Sequence, residues 1–323
     1  MIRALAITGP TASGKTALSL TVAKSLGCEI VSLDSMQIYR GMDIGTAKAT
    51  ADEQAQIPHH MIDIVDPDEP YSAGSYKRDA LRVCGQIVSR GKIPLFVGGT
   101  GLYLSTLIRP ECEEPPPSSP EYRERIESAL GCEEDRIALH KRLAKCDPDS
   151  AESIHYNNVR RVIRALEIYE TTGKTKTYFD MLTKEPSKEI DICCVTLDFQ
   201  DRDLLYRRID TRVDMMMTEG LYAEVEALVG NGYLSPDTTA AQAIGYKEIL
   251  RSVRGEISVN DAIEDIKQAS RNYAKRQLTW FRHNGSATAV CVDDGSGAML
   301  PSHEISERVT EIFKGFLNQN KIN

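Results

Sequence analysis

Residues 9–16 read Gly9-Pro10-Thr11-Ala12-Ser13-Gly14-Lys15-Thr16. They match G-x-x-x-x-G-K-[ST], a loop whose backbone N–H groups cradle phosphate oxygens. Ala4-Leu5-Ala6-Ile7-Thr8 before it is a short apolar run with the length of a buried strand. After it, Ala17–Leu26 sets Leu18, Val22 and Leu26 at helical spacing. Strand, glycine loop and helix in that order open an α/β protein. The loop also assigns chemistry. Amides converging at a helix N-terminus favour an anion, Lys15 adds a mobile positive charge, and the Thr16 hydroxyl can hold Mg²⁺. The motif specifies a diphosphate or triphosphate ligand and leaves open which bond breaks.

Working outward, Glu29–Leu33 and Ile93–Val97 are further continuous apolar runs, as in a parallel sheet buried on both faces. Met61–Val65 reads as another strand and 75–90 as an amphipathic helix. The sequence Glu111–Pro120, ECEEPPPSSP, reads as a proline-stiffened linker. Residues 121–185 read as all helix, with Asp147 capping before Pro148 and a helix over 159–171 that stops at Gly173. Ile190–Leu197 returns to strand. Patterns over 202–230 and 260–283 are helical, followed by a strand at 289–292 and a closing helix near 304–316. The expected fold is α/β: a P-loop NTPase-like parallel sheet flanked by helices, with an inserted all-helical domain. The core is expected over 1–112 and 190–323, and the insert over 113–189.

Length and composition narrow the classes. The chain has 323 residues, 41% of them hydrophobic, enough for a substantial core. No apolar run approaches the roughly 18 residues a membrane helix needs, so no membrane association is expected. A cleaved leader would remove the first strand and the loop, which points to a cytoplasmic protein. The 8 cysteines form no C-x-x-C pair, so neither a zinc site nor a disulfide framework is expected. The net charge of −8 gives no global sign of nucleic-acid binding, but basic residues cluster locally. Arg160, Arg161 and Arg164 lie in the insert, and Arg202, Arg207, Arg208 and Arg212 on the next helix. Arg271, Lys275, Arg276 and Arg282 surround Gln277-Leu278-Thr279-Trp280-Phe281. Such clusters suit phosphate contacts with base stacking, although a charged run is more often a solvated helix face.

Asp34 ends the second strand, beside the phosphate loop in such a sheet. Its position allows a general base, a carboxylate acting on Mg²⁺ through water, or a helix N-cap. Gly98-Gly99-Thr100-Gly101 allows close backbone approach to a ligand or a tight turn opening a helix. Asp63, Asp66 and Asp68 read as a solvated loop, His59-His60 as the apolar face of a turn, and Met215-Met216-Met217 as adaptable packing. At least one of Trp280 and Phe281 is expected in the core.

Taken together, GPTASGKT (9–16), SLDSMQIYRGMDIGTAK (32–48), PHHMIDIVDPDEPYSAGSY (58–76), PLFVGGTGLYL (94–104), AIGYKEIL (243–250) and AKRQLTWFR (274–282) resemble the tRNA dimethylallyltransferase family. The resemblance spans nearly the whole chain. It implies transfer of a dimethylallyl group from dimethylallyl diphosphate to N6 of the adenosine 3′-adjacent to the anticodon, in tRNAs reading codons that begin with U. It implies that residues 9–16, which otherwise read as an ATP-type nucleotide site, grip the donor diphosphate. It makes Asp34 the base and Thr100 an orienting group, with Lys15, Arg212 and Mg²⁺ at Thr16 stabilising the leaving anion. It carries tRNA contacts onto Asp34, Ser35, Met36, Gln37 and Thr100, and onto Arg123, Arg160, Arg161, Val162, Ile163 and Arg164. Further contacts fall on Gln242, Ala243, Ile244, Gly245, Tyr246 and Lys247, and on Lys275, Arg276, Gln277 and Arg282. Arg160 departs from the glutamine common in relatives. A monomer is expected, with the anticodon stem-loop and the donor as partners.

Three alternatives stand beside this. A P-loop small-molecule kinase would use the insert as a lid, but no Asp ends the Ile93–Val97 strand to hold Mg²⁺. An adenylate isopentenyltransferase would not need the long insert or the 274–282 motif. A tRNA-binding module with a vestigial loop sits poorly with intact Lys15, Thr16 and Asp34.

Overall fold

In a computed structural model of the chain, Ile2–Thr8 (β1) feeds the phosphate loop, and its alternate residues serve two cores. Leu5 and Ile7 pack on one face of the sheet, Ala4 and Ala6 on the other, as the two-residue period of a strand dictates. The structure describes residues 1–110, 115–116, 118–182, 187–283 and 287–319. Cα packing divides the chain into Met1–Ile108 with Ile190–Asn323, and Arg109–Glu189.

In the first unit, β2 (Cys28–Ser32), β3 (His59–His60), β4 (Ile93–Gly98), β5 (Ile190–Asp198) and β6 (Ala287–Cys291) join β1 in a sheet of order β3-β2-β4-β1-β5-β6. Every strand pairing is parallel. Helices α1 (Lys15–Leu26) and α14 (Ser302–Asn318) cover the Leu5/Ile7 face through Leu18, Val22, Val309 and Phe313. Helices α3 (Ala73–Ser89) and α4 (Gly101–Ile108) cover the other through Tyr76, Ile87, Tyr103 and Leu107. The Tyr76 and Tyr103 rings stack 3.9 Å apart, and the Tyr76 hydroxyl donates to Ser32 O at 2.7 Å. The short α2 (Ala51–Gln56) precedes β3. A third core joins Ile38 and Met42 to α10 (Arg202–Glu219), α11 (Leu221–Gly230), α12 (Tyr246–Val253) and α13 (Val259–His283). Among the described residues no helix is long and apolar enough to cross a membrane.

The second unit holds α5 (Pro120–Glu127), α6 (Glu133–Cys146), α7 (Pro148–Ser153), α8 (Val159–Thr172) and α9 (Lys176–Leu182). Asp147 caps α7 by accepting from Ser150 N, and its carboxylate also accepts from the amide and hydroxyl of Thr177. Gly173 ends α8 with a left-handed φ of 71°. Of the expected linker, 111–114 and 117 lie outside the described residues, as do 183–185 of the helical block.

Several expectations need correction. The strand expected at 61–65 is β3 at His59–His60 instead. Met61 and Asp63 take φ of 60° and 53°, which ends the extended run, and only a Tyr39–Val65 bridge remains. The histidines have polar partners: His60 Nε2 meets Glu29 at 2.7 Å and His59 Nδ1 meets Ile57 O at 2.7 Å. Asp63 and Asp66 are ion-paired with Lys48 and Arg40. The single helical pattern over 202–230 is two helices, broken at Gly220 with φ 107°. Met216 is core, but Met215 is exposed. The described cysteines are all free.

Gly98 closes β4 against the chain leaving β2. A Cβ there would sit 2.2 Å from Leu33 O and 2.9 Å from Leu33 Cα. Gly98→Ala must therefore push the β4 and β2 backbones apart, and a destabilisation of roughly 1–3 kcal/mol is expected. Urea denaturation checks it: an unshifted midpoint would contradict the geometry.

Candidate active site

The carboxyl ends of β1, β2 and β4 open into a cavity of about 640 Å³, where ligands bind in sheets of this kind. Thr11–Thr16 line it, while Gly9 and Pro10 are buried. The loop bends through positive φ at Gly9 (141°), Ala12 (62°) and Gly14 (87°). Two side chains pin its apex: Gln277 Oε1 accepts from Thr11 N at 2.9 Å, and Arg208 Nε donates to Ala12 O at 2.9 Å. Lys15 Nζ donates to Gly9 O (3.0 Å), Pro10 O (2.5 Å) and Ser13 Oγ (3.4 Å). The exposed Thr16 lies in the first turn of α1.

Asp34 lies just past β2 and lines the same cavity, with Ser35, Met36 and Gln37. Among the described residues the only hydrogen bond to its side chain is from Met36 N to Oδ1, 2.8 Å. The carboxylate therefore organises a turn and keeps Oδ2 available. Thr100 Oγ1 accepts from Ser35 N at 3.1 Å, and Thr100 N donates to Leu33 O at 3.1 Å, tying the Gly98–Gly101 loop to the Asp34 turn. Gln37 accepts from the Ser32 hydroxyl and donates to Thr46 O and Ala47 O, fixing a second wall of the cavity. Arg212 projects from α10 into the cavity, and Gln242, Ala243, Ile244 and Gly245 line it as well.

The charges interact. Burial, with Arg212 beside it, lowers the Lys15 ammonium to about 7, against the opposing pull of Asp34. Burial also lowers Arg212, again opposed by Asp34, although a guanidinium stays charged at neutral pH. Tyr273, which no sequence motif marks, lines the cavity. Burial and then Asp34 raise its phenol to about 12. The available signal was spacing: Tyr273 and Gln277 are four apart on one helix and share a face. Arg208 stands in the sequence only as one member of a basic run.

Several sequence-assigned RNA contacts have other occupations. Tyr246 is fully buried, with its hydroxyl on Glu224. Val162 and Ile163 are each 1% exposed in the core of the second unit. There Arg164 pairs with Glu167 at 2.8 Å and Arg123 donates to Ser118 Oγ at 2.9 Å. Gln277 is buried between backbone loops, and Arg282 is paired with Asp198 through bonds of 3.0 and 2.7 Å. Phe281 is core, and Trp280 packs on Gly101. Arg160, Arg161 and Lys247 are exposed. Lys275 and Arg276, with Trp280 and His283, line a second depression of about 860 Å³ on α13.

The donor set suits Mg²⁺. Among the described residues no three His, Cys, Asp or Glu side chains gather to cage a metal. Mg²⁺ characteristically keeps its waters and is held by few protein oxygens together with substrate phosphates; the Thr16 hydroxyl at an anion-binding loop offers that.

The family model described as IPP transferase matches residues 37–284, and one described as Isopentenyl transferase matches 2–63. The chain is 42% identical to the tRNA dimethylallyltransferase of Thermoanaerobacter sp. (strain X514) over 318 residues, covering 98% of this chain and 99% of the relative. It is 46% identical to that of Bacillus subtilis (strain 168), covering 87% and 88%. Among solved structures, the tRNA isopentenylpyrophosphate transferase of Bacillus halodurans superposes with a TM-score of 0.71 at 39% identity, covering 99% of this chain and 98% of that one. A eukaryotic dimethylallyltransferase acting on tRNA superposes with a TM-score of 0.78 at 29% identity, covering 98% and 80%. Over nearly its whole length, the chain belongs to the IPP transferase family of prenyl-transferring enzymes.

Proposed function

We propose that this chain transfers a dimethylallyl group from dimethylallyl diphosphate to N6 of the adenosine 3′-adjacent to the anticodon, in tRNAs reading codons that begin with U, releasing diphosphate. The observation that carries this is the convergence in one cavity of a phosphate loop, the Asp34 carboxylate and the Arg212 guanidinium.

An exocyclic adenine amine is a poor nucleophile because its lone pair is delocalised into the ring. As N6 attacks the allylic carbon, the C–N bond forms, the donor's C–O bond breaks, and Asp34 Oδ2 takes the proton. Thr100, held by Ser35 N and Leu33 O, orients the amine. Positive charge develops on the allyl carbon and negative charge on the departing diphosphate. The Thr11–Thr16 amides, Lys15 and Arg212 stabilise that anion in place before the reaction starts. A Mg²⁺ held by Thr16, the diphosphate oxygens and water would supply further neutralisation. The donor must be shielded from water, since a hydrolysed allyl cation is lost, and the target base must leave its stack to reach Asp34.

For RNA, the exposed Arg160 and Arg161 of the second unit and Lys275 and Arg276 of α13 offer phosphate contacts. Arg160→Ala with Arg161→Ala is expected to flatten the salt dependence of tRNA binding by about 1.4 in log–log slope, two contacts at roughly 0.7 each for single-stranded RNA. Filter binding from low to moderate salt measures this, and an unchanged slope places both side chains off the RNA.

Labelled dimethylallyl diphosphate with Mg²⁺ and either tRNA or AMP tests the function directly. Label in tRNA is expected. Label in AMP alone identifies a nucleotide prenyltransferase, and phosphate transfer from ATP a kinase. A monomeric cytoplasmic enzyme is the accompanying proposal.

A further inference from the structure

Gln277 holds together the two halves of the cavity. It lies on α13 at 6% exposure, and both ends of its amide are used. Oε1 accepts from Thr11 N at 2.9 Å, at the apex of the phosphate loop. Nε2 donates to Gly99 O at 3.0 Å, one residue before Thr100. The partners fix which end is which: a backbone N–H only donates and a carbonyl only accepts. Contact at the second end is close, since a Cβ on Gly99 would lie 2.1 Å from Nε2. One turn earlier on the same helix, Tyr273 lines the same cavity. Thr100 in turn accepts from Ser35, the neighbour of Asp34. One buried amide thus connects the loop suited to the leaving diphosphate with the loop and turn suited to the incoming amine.

We propose that Gln277 is a positioning residue that sets the spacing between the diphosphate loop and the Thr100–Asp34 side of the cavity, and transmits occupancy of the first to order in the second. This rests on the prenyl-transfer reading for its kinetic consequence only. In-line attack needs reacting atoms within about 3–3.5 Å, and a misplacement of about 1 Å costs on the order of 100-fold. A group that fixes spacing therefore acts on turnover more than on either binding step. A glutamine is suited to this work, because no charge is added beside the diphosphate.

The test uses the full chain with Gln277→Met, which keeps the length and removes both hydrogen bonds. Gln277→Glu, which keeps an acceptor for Thr11 and sets an oxygen against Gly99 O, is the second variant should the first fail to fold. Turnover is expected to fall at least 30-fold, with the affinities for inorganic diphosphate and for tRNA each within threefold of the parent. A turnover within threefold of the parent overturns the proposal, as does a loss of affinity that accounts for the whole fall. A second readout does not depend on transfer. Inorganic diphosphate should slow amide hydrogen exchange at Ser35 and Thr100 in the parent and leave it unchanged in Gln277→Met. Equal protection in both proteins, or none in the parent, overturns the transmission. If diphosphate protects these amides but no label reaches tRNA, the function fails and the brace stands.

Discussion

Asp34→Asn lowers prenyl transfer by roughly 100- to 10,000-fold, the range of a lost general base, while donor affinity holds or improves. Asparagine separates the two roles of this side chain. Its carbonyl oxygen still accepts the Met36 N–H that Oδ1 accepts at 2.8 Å, so the turn survives and only the proton acceptor is lost. Asp34→Ala removes both and is expected to lose a similar factor in turnover with some stability besides. Donor affinity moves the other way because Asp34 opposes the positive field of Lys15 and Arg212, and deleting its charge leaves the cavity more attractive to diphosphate. Single-turnover assays with labelled donor, alongside diphosphate binding, measure both quantities. Parent-like turnover in Asp34→Asn would reduce this residue to a turn-former.

Lys15→Ala produces the second large loss, on the order of 100-fold or more in kcat/KM, because the ammonium that faces the bound diphosphate is removed. The pH dependence gives a finer test. Burial and Arg212 hold Lys15 near 7, so above that pH the free enzyme is largely neutral there. A bound diphosphate favours the ammonium and raises its pKa. Binding must then take up a proton, and affinity falls as pH rises from about 7 toward 9. An ordinary lysine, near 10.4, would show neither effect in that window. Calorimetry in buffers of different ionisation enthalpy at pH 8.5 should find uptake approaching one proton in the parent and far less in Lys15→Arg, whose charge is permanent. Zero uptake in the parent would remove the depressed pKa from the account.

What was legible in the sequence follows from the range of the forces involved. β1, β2, β4 and β5 are local apolar runs, and the phosphate loop is a local motif, so both could be read. Strand order could not be, because β4 lies between β2 and β1 through contacts far apart in sequence. The strand expected at 61–65 failed because positive φ at Met61 and Asp63 is imposed by the fold and carries no glycine to mark it. At the site, Asp34 and Thr100 sit where motif and strand end coincide. Gln277 was assigned to an RNA contact and Arg208 to a basic run, and their bonds to the phosphate loop went unread. A polar residue in a basic helix looks solvent-facing until the loops it bonds are folded against it. Val162, Ile163 and Tyr246 were placed in RNA-contacting segments, and what local sequence did not reveal is that their side chains build cores.

The placement of β5 has a consequence for synthesis. β1 pairs with β4 on one side and, from Ile2↔Ile190 to Thr8↔Thr196, with β5 on the other. When β4 leaves the ribosome, the whole of Arg109–Glu189 must still be translated before β5 appears. At about 5–20 residues per second, that leaves an apolar strand edge of the nascent chain unpaired for several seconds, open to strand addition by another chain. The helical unit builds its own core from nearby residues and can fold during that interval, while the sheet, and the catalytic cavity at its edge, waits for its fifth strand.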